Sequence, residues 1–162
     1  MHMLPSQFLV KHSNVAMLKI YIDAHAVDFA QLRQVYAESA GEYFYEDTLD
    51  FFKESGNLFA IWIVNGKYKC ALRWQRFRDG YLISGIETRP GERRKGYAKC
   101  LLKAVLDHFR DRGNIKVYSH IHKDNLASLA LHRTCTFKKI SDRSVLLDGS
   151  ASGQYATFLI EI

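Results

Sequence analysis

The sequence predicts an α+β fold, a mixed and mostly antiparallel sheet with helices on its faces. Three observations predict it. The strand-like runs 58–64, 67–77 and 81–88 follow one another across turn-length gaps. Asn65-Gly66, between the first two, is a strong hairpin signal. A long helical pattern, about 96–112, then separates these runs from another strand at 115–120, as a crossover connection requires. Hairpins first and a crossover helix later make a mixed sheet.

The remaining elements follow in order. Residues 17–22 read as a first strand. Residues 27–40 read as a helix, with Phe29, Leu32, Val35 and Tyr36 on one stripe. Residues 47–54 form a second helix, which Gly56-Asn57 ends in a turn. Arg78-Asp79-Gly80 turns the chain into the strand 81–88. The long helix has Tyr97, Cys100, Leu101, Ala104, Val105, His108 and Phe109 on its apolar face, and Gly113-Asn114 stops it. A helix at 125–134 and a strand at 137–140 come next. The small-residue stretch 148–153 reads as a turn before a last strand at 155–162. There is no internal repeat, low-complexity stretch or linker, so 1–162 reads as one domain.

Composition narrows the function classes. A 48% hydrophobic content, with ten Phe and nine Tyr, is enough for a substantial core. The longest apolar runs are strand-sized, which argues against a membrane span. The N-terminus lacks a small-residue cleavage site and does not read as a signal peptide. The three cysteines are odd in number and widely spaced, which fits a reducing compartment and a cytoplasmic location. The net charge of +6 favours anionic partners. Nucleic acid is one such class. However, the cations concentrate at one loop, and no nucleic-acid-binding signature accompanies them.

That loop is the most specific feature of the chain. Arg89, Arg93, Arg94, Lys95 and Lys99 stand against the single carboxylate of Glu92, where a strand gives way to a helix. Free amides of a helix's first turn, the helix dipole and a glycine that lets backbone approach an anion together suit phosphate oxygens. Neither the Walker pattern nor the dinucleotide GxGxxG pattern is present. The loop instead fits Q/R-x-x-G-x-G/A through Arg93, Gly96 and Ala98. A second block follows: Asn125, Ser128, His132 and Phe137.

With both blocks, residues 83–140 resemble the GNAT superfamily of N-acetyltransferases. The resemblance implies an acetyl-coenzyme A-dependent acyltransferase, one that transfers groups other than aminoacyl groups. It implies that Arg93, Arg94, Lys95, Gly96, Tyr97 and Ala98 grip the pyrophosphate. It implies that the backbone of Ile86, Glu87 and Thr88 takes the pantetheine arm, in a cleft between splayed strands. It places Asn125 and Ser128 on the cofactor and His132 near the sulfur. The acceptor would be an amine on a small molecule or peptide, and a homodimer paired through the last strand is within the family's habits.

Two departures bear on the chemistry. His132 stands where the family usually has Tyr, and Thr136 where it usually has Gly. The second predicts a differently built turn, because a β-branched residue resists left-handed backbone. His132 is the candidate general acid for the leaving thiolate, against the reading that it merely fills space. Glu87 is the candidate base, against a salt bridge to Arg89 or Arg94. Asn125 doubles as a candidate helix cap. Tyr43, Phe44, Tyr45, Trp74 and Arg76 are candidate walls for the acceptor. Glu38, Glu42, Glu46, Asp47 and Asp50 form an acidic cluster able to receive an amine. His120 and His122 share a strand face but lack the partners of a metal site. A coenzyme A-binding protein with weakened catalysis is the alternative within this fold, and a nucleic-acid-binding module the alternative outside it.

Overall fold

The computed structural model describes residues 16–21, 24–41, 47–54, 56–146 and 149–162. Its elements are β1 (Ala16–Tyr21), α1 (Phe29–Ala40), α2 (Asp47–Lys53), β2 (Leu58–Val64), β3 (Lys67–Phe77), β4 (Gly80–Thr88), α3 (Tyr97–Arg110), β5 (Lys116–His122), α4 (Leu126–Thr134), β6 (Lys138–Ser141), β7 (Ser144–Val145), β8 (Ala151–Ser152) and β9 (Tyr155–Glu161). Seven strands form one sheet in the order β1-β2-β3-β4-β5-β9-β6. Every pairing in it is antiparallel except that of β4 with β5. The α+β architecture expected from the sequence is the one observed.

Local chemistry accounts for the boundaries. Asp28 caps α1 by accepting from the Gln31 amide at 3.2 Å, so the helix begins two residues later than its apolar pattern. Asn65 and Gly66 both take positive φ, as a two-residue hairpin turn demands. Residues 141–154 hold more structure than the single turn expected there. The short β7–β8 hairpin pairs Ser144 with Ser152 and Val145 with Ala151.

Alternation along the strands builds a core on each face of the sheet, with Phe77, Leu82 and Tyr118 as a third, smaller cluster. Phe59 and Ile61 of β2 face α1 and α2, where they meet Leu32, Val35, Tyr36 and Phe52. Ala60 of β2, Leu72 and Trp74 of β3 and Ile83 of β4 face α3, where Leu101, Leu102, Val105, Leu106 and Phe109 cover them. Trp74 is thus a core residue, 1% exposed and edge-on to Phe109. Arg76 lies over the Tyr81 ring. Neither lines the cleft described below, so the expectation of acceptor walls there does not hold. Tyr43, Phe44, Tyr45, Glu42 and Glu46 lie outside the described residues, as does the side chain of Asp47. β9 lies between β5, which pairs with it along 155–161, and β6, which pairs with it along 157–159. The three cysteines are free thiols, with Cys70 and Cys135 buried and Cys100 exposed. Among the described residues no helix is long and apolar enough to cross a membrane.

The turn after α4 corrects an expectation. Thr136 does adopt left-handed backbone, at φ 69°. The Phe137 amide donates to the His132 carbonyl and the Thr136 amide to that of Arg133, both at 3.0 Å. This is a complete Schellman motif with Thr where Gly is usual. His132 and Phe137 make its apolar contact, ring centroids 5.0 Å apart. The hydrogen bonds and the buried ring pair hold a conformation that a β-branched residue resists at a cost of about 1–3 kcal/mol. Thr136→Gly relieves that cost and returns part of it as unfolded-chain entropy. The expected net gain is about 1 kcal/mol, a rise in Tm of roughly 2–4 °C by thermal unfolding. An unchanged or lower Tm would show that Thr136 is not strained.

Candidate active site

The site exists because β4 and β5 part. They pair only from Gly80↔Lys116 to Ile83↔Ser119, and beyond that point β5 continues on β9 alone. The parting coincides with an irregularity in β4. Ala71 opposes Glu87 but Arg73 opposes Ser84, so β4 carries one residue more than β3. Gly85 sits in this bulge at φ 66°. Tyr36 of α1 donates to the Gly85 carbonyl at 2.7 Å. A Cβ at Gly85 would lie 3.1 Å from the Tyr36 hydroxyl, so a side chain there would crowd Tyr36 as well as strain the backbone. The bulge also sets direction. In a regular strand Ser84 and Glu87 would face opposite sides; here both share the face of their partners Arg73 and Ala71, toward α1.

The resulting cleft has a volume of about 860 Å³, within the ~300–1,000 Å³ of small-molecule sites. Ile86, Glu87 and Thr88 line one wall. Arg93, Arg94, Gly96, Tyr97 and Ala98 line the mouth. Asn125, Ser128 and His132 of the α4 segment line the opposite side. Of the expected site residues only Lys95 is not among the lining side chains; it turns outward to Glu92 at 2.7 Å. Sequence reasoning missed Ser39, His120 and Tyr155, which also line the cleft. His120 and His122 alternate onto one face of β5, a signal read only as a metal pattern.

The mouth is built for an anion. Arg94 at φ 62° and Gly96 at φ 82° both take left-handed backbone, which curls the loop before α3. The space where a Gly96 Cβ would point is open to 4 Å. No side chain caps α3, whose first i→i−4 bond runs from the Cys100 amide to the Gly96 carbonyl at 3.0 Å. The amides of Tyr97, Ala98 and Lys99 therefore have no partner within the helix and face the mouth with its dipole. The cations divide into two groups. Arg89 is held bidentately by Glu38, with both contacts at 2.7 Å. Lys69 and Lys95 share Glu92. Arg94 and Lys99 have no ion-pair partner among the described residues and are exposed, available to a phosphate.

The interior is different. Glu87 accepts a short hydrogen bond from the Ser39 hydroxyl. Arg93 reaches the Ser39 carbonyl and hydroxyl at 3.4 Å. Burial raises the Glu87 carboxyl above its ordinary range, against the opposing pull of Ser39 and Arg93. Glu87 is thus not the partner of Arg89 or Arg94. Asn125 caps α4, its Oδ1 accepting from the Ser128 amide at 3.1 Å, while its side chain still lines the cleft. His132 is 1% exposed. Its Nδ1 lies 2.8 Å from the Ser128 carbonyl, an acceptor, so the ring proton sits on Nδ1. Its Nε2 is buried with no partner. Burial lowers the ring's affinity for a second proton. The resting ring is neutral, whereas a general acid of the expected kind starts as imidazolium.

The sign of the Glu87 shift yields a stability prediction. The folded state binds this proton more tightly than the unfolded chain. Its share of stability is therefore lost as pH rises from the ordinary value of 4.5 through the raised folded value. Glu87→Gln removes that slope. Urea unfolding at about pH 4 and about pH 7 should show the variant gaining on the wild type as pH rises. A constant difference would contradict a raised Glu87 carboxyl.

The family model described as Acetyltransferase (GNAT) family matches residues 15–137. No curated protein matches the chain. Among solved structures, the ribosomal-protein-S18-alanine N-acetyltransferase from Escherichia coli superposes with a TM-score of 0.72 at 19% identity, covering 90% of this chain and 94% of that one. PaiA N-acetyltransferase from Thermoplasma acidophilum, solved with coenzyme A, gives 0.66 at 12% identity over 90% of this chain and 99% of its own. The yncA protein from Salmonella typhimurium, solved with its cofactor acetyl-CoA, gives 0.67 at 17% identity over 91% and 94%. At these identities the neighbours speak for the fold. The parted strands, the left-handed loop and the uncapped helix agree with what the matched family model establishes: the chain belongs to the GNAT acetyltransferase family.

Proposed function

We propose that the chain is an N-acetyltransferase that moves an acetyl group from acetyl-coenzyme A to a primary amine. One observation carries the reading: the uncapped N-terminus of α3, behind the left-handed Arg94–Gly96 loop, opens on a cleft made by the parting of β4 and β5. Acetyl-coenzyme A supplies the acetyl group as a thioester. The amine nitrogen bonds to the carbonyl carbon, the carbon–sulfur bond breaks, one proton leaves the nitrogen and one reaches the sulfur.

The chain's own residues divide this work. Arg93 to Ala98 hold the pyrophosphate, with Arg94 as a free cation and the α3 amides as fixed donors. Lys95 adds charge from outside the cleft. The backbone of Ile86, Glu87 and Thr88 is unpaired on the β5 side and receives the pantetheine amides as an added strand would. Asn125 and Ser128 flank the arm from α4. Glu87 takes the proton from the incoming ammonium, and its raised carboxyl brings its basicity closer to the operating pH. His132 stays on the sulfur side with a neutral ring, whose Nε2 accepts a proton before it can give one. Positioning supplies much of the rest, since effective molarity alone is worth ~7–11 kcal/mol.

Calorimetric titration with acetyl-coenzyme A tests the reading. The wild type should bind with micromolar affinity. Arg94→Ala should weaken binding about tenfold or more, the loss of a charge-assisted contact of ~1.5–3 kcal/mol. Gly96→Asp should abolish binding, because it places a carboxylate at the anion site. Absence of binding by the folded wild type would remove acetyltransfer as the function.

A further inference from the structure

The cleft adjoins a second pocket of about 300 Å³. His120 and Tyr155 are walls of both. The β7–β8 hairpin builds the rest, with Ser144 and Leu146 on one arm and Ala151 and Ser152 on the other. The hairpin is fastened to the sheet: the Thr157 hydroxyl donates to the Arg143 carbonyl at 2.7 Å. It is also closed on itself, the Leu146 amide donating to the Ser150 carbonyl at 2.9 Å.

The pocket lies on the same face of the sheet as Glu87. His120 packs edge-on against Phe77, ring centroids 5.4 Å apart. Phe77 and Ala71 alternate onto one face of β3, and Ala71 is the strand partner of Glu87. An amine between Glu87 and His120 would therefore have this pocket beside it.

The wall chemistry is uncharged. It offers serine hydroxyls, the methyl groups of Leu146 and Ala151, one phenol and one imidazole. Among the described residues no carboxylate, lysine or arginine lines it. A second ammonium or a carboxylate would enter without a counter-charge, which disfavours burial. An apolar group would gain contact there. His120 Nε2 is buried without a partner, and such a group calls for a hydrogen bond from a ligand. Burial and the charge of Arg78 keep the ring neutral.

We infer that this pocket receives an uncharged, largely apolar substituent of the acceptor, while the amine itself lies between Glu87 and His120. The inference rests on reading the cleft as an acetyltransferase site. It assigns the acceptor class as monoamines with an apolar or hydroxylated group near the nitrogen, whether free amines or peptide N-termini. Polyamines, aminoglycosides and acidic amines fall outside it.

Thiol release from acetyl-coenzyme A by the full chain tests this with four acceptors: phenylethylamine, a short peptide with an N-terminal leucine, spermidine and aspartate. One of the first two should exceed both charged amines in kcat/KM by at least about tenfold, and the better of the two separates a free amine from a peptide end. Leu146→Asp and Ser152→Asp place a carboxylate at accessible positions on the pocket wall. Each should cut kcat/KM for the preferred amine more than about tenfold, with melting temperature and acetyl-coenzyme A affinity unchanged. Equal or better use of the charged amines would overturn the pocket's role. So would no turnover of any acceptor despite acetyl-coenzyme A binding, or both Asp variants keeping the wild-type preference. These outcomes leave the broader reading in place, whereas failure to bind acetyl-coenzyme A removes both.

Discussion

The hydrogen bond from Tyr36 to the Gly85 carbonyl holds the point on which the structure turns. At 2.7 Å it pins the bulge of β4 from the α1 side, and Gly85 is the residue that fits beneath the Tyr36 ring. Tyr36 is itself buried in the core under α1, so the bulge inherits the rigidity of that core. Three consequences follow from this one contact. β4 curves away from β5, which opens the cleft. The backbone of Ile86 to Thr88 keeps unpaired groups on the cleft side. Glu87 turns to the α1 face, where Ser39 meets it. A sheet that stayed paired along β4 and β5 would bury all three functions in ordinary ladder bonds.

Electrostatics then divides the cleft along its length. The mouth has free cations, unpaired amides and a helix dipole, all of one sign. The interior has the partly buried carboxylate of Glu87 and the neutral imidazoles of His120 and His132. This division suits the proposed roles, a polyanionic ligand at the first and a reacting amine at the second. Glu38 and Glu92 sharpen the division, because they neutralise Arg89, Lys69 and Lys95 and leave Arg94 and Lys99 as unpaired cations, among the described residues, at the cleft mouth.

The strand and helix order was legible because each signal is local. Asn65-Gly66 forces a tight turn, Asn125 caps a helix, and the stripes on α1 and α3 mark their buried faces. The mouth of the site was legible for the same reason, since loop, glycine and helix start are contiguous in sequence. The bulge was less so. Gly85 inside a strand pattern hints at one, but its pairing with Tyr36 spans 49 residues. Thr136 shows the limit of propensity: tertiary hydrogen bonds and the His132–Phe137 contact impose a conformation its side chain resists. The β7–β8 hairpin was missed because two-residue strands carry no periodicity. The neutral state of His132 depends on burial and on the Ser128 carbonyl, which residue type does not reveal.

We propose that acetyl-coenzyme A lies in the gap between β4 and β5, with the α3 amides at its mouth. A two-dimensional amide NMR spectrum of the isotope-labelled protein, recorded with and without acetyl-coenzyme A, locates the ligand. Saturable shifts are expected at the amides of Arg94 to Lys99 and of Ile86 to Thr88, with β1 and β2 unmoved. Binding that shifts other residues and leaves both of these segments in place would contradict it.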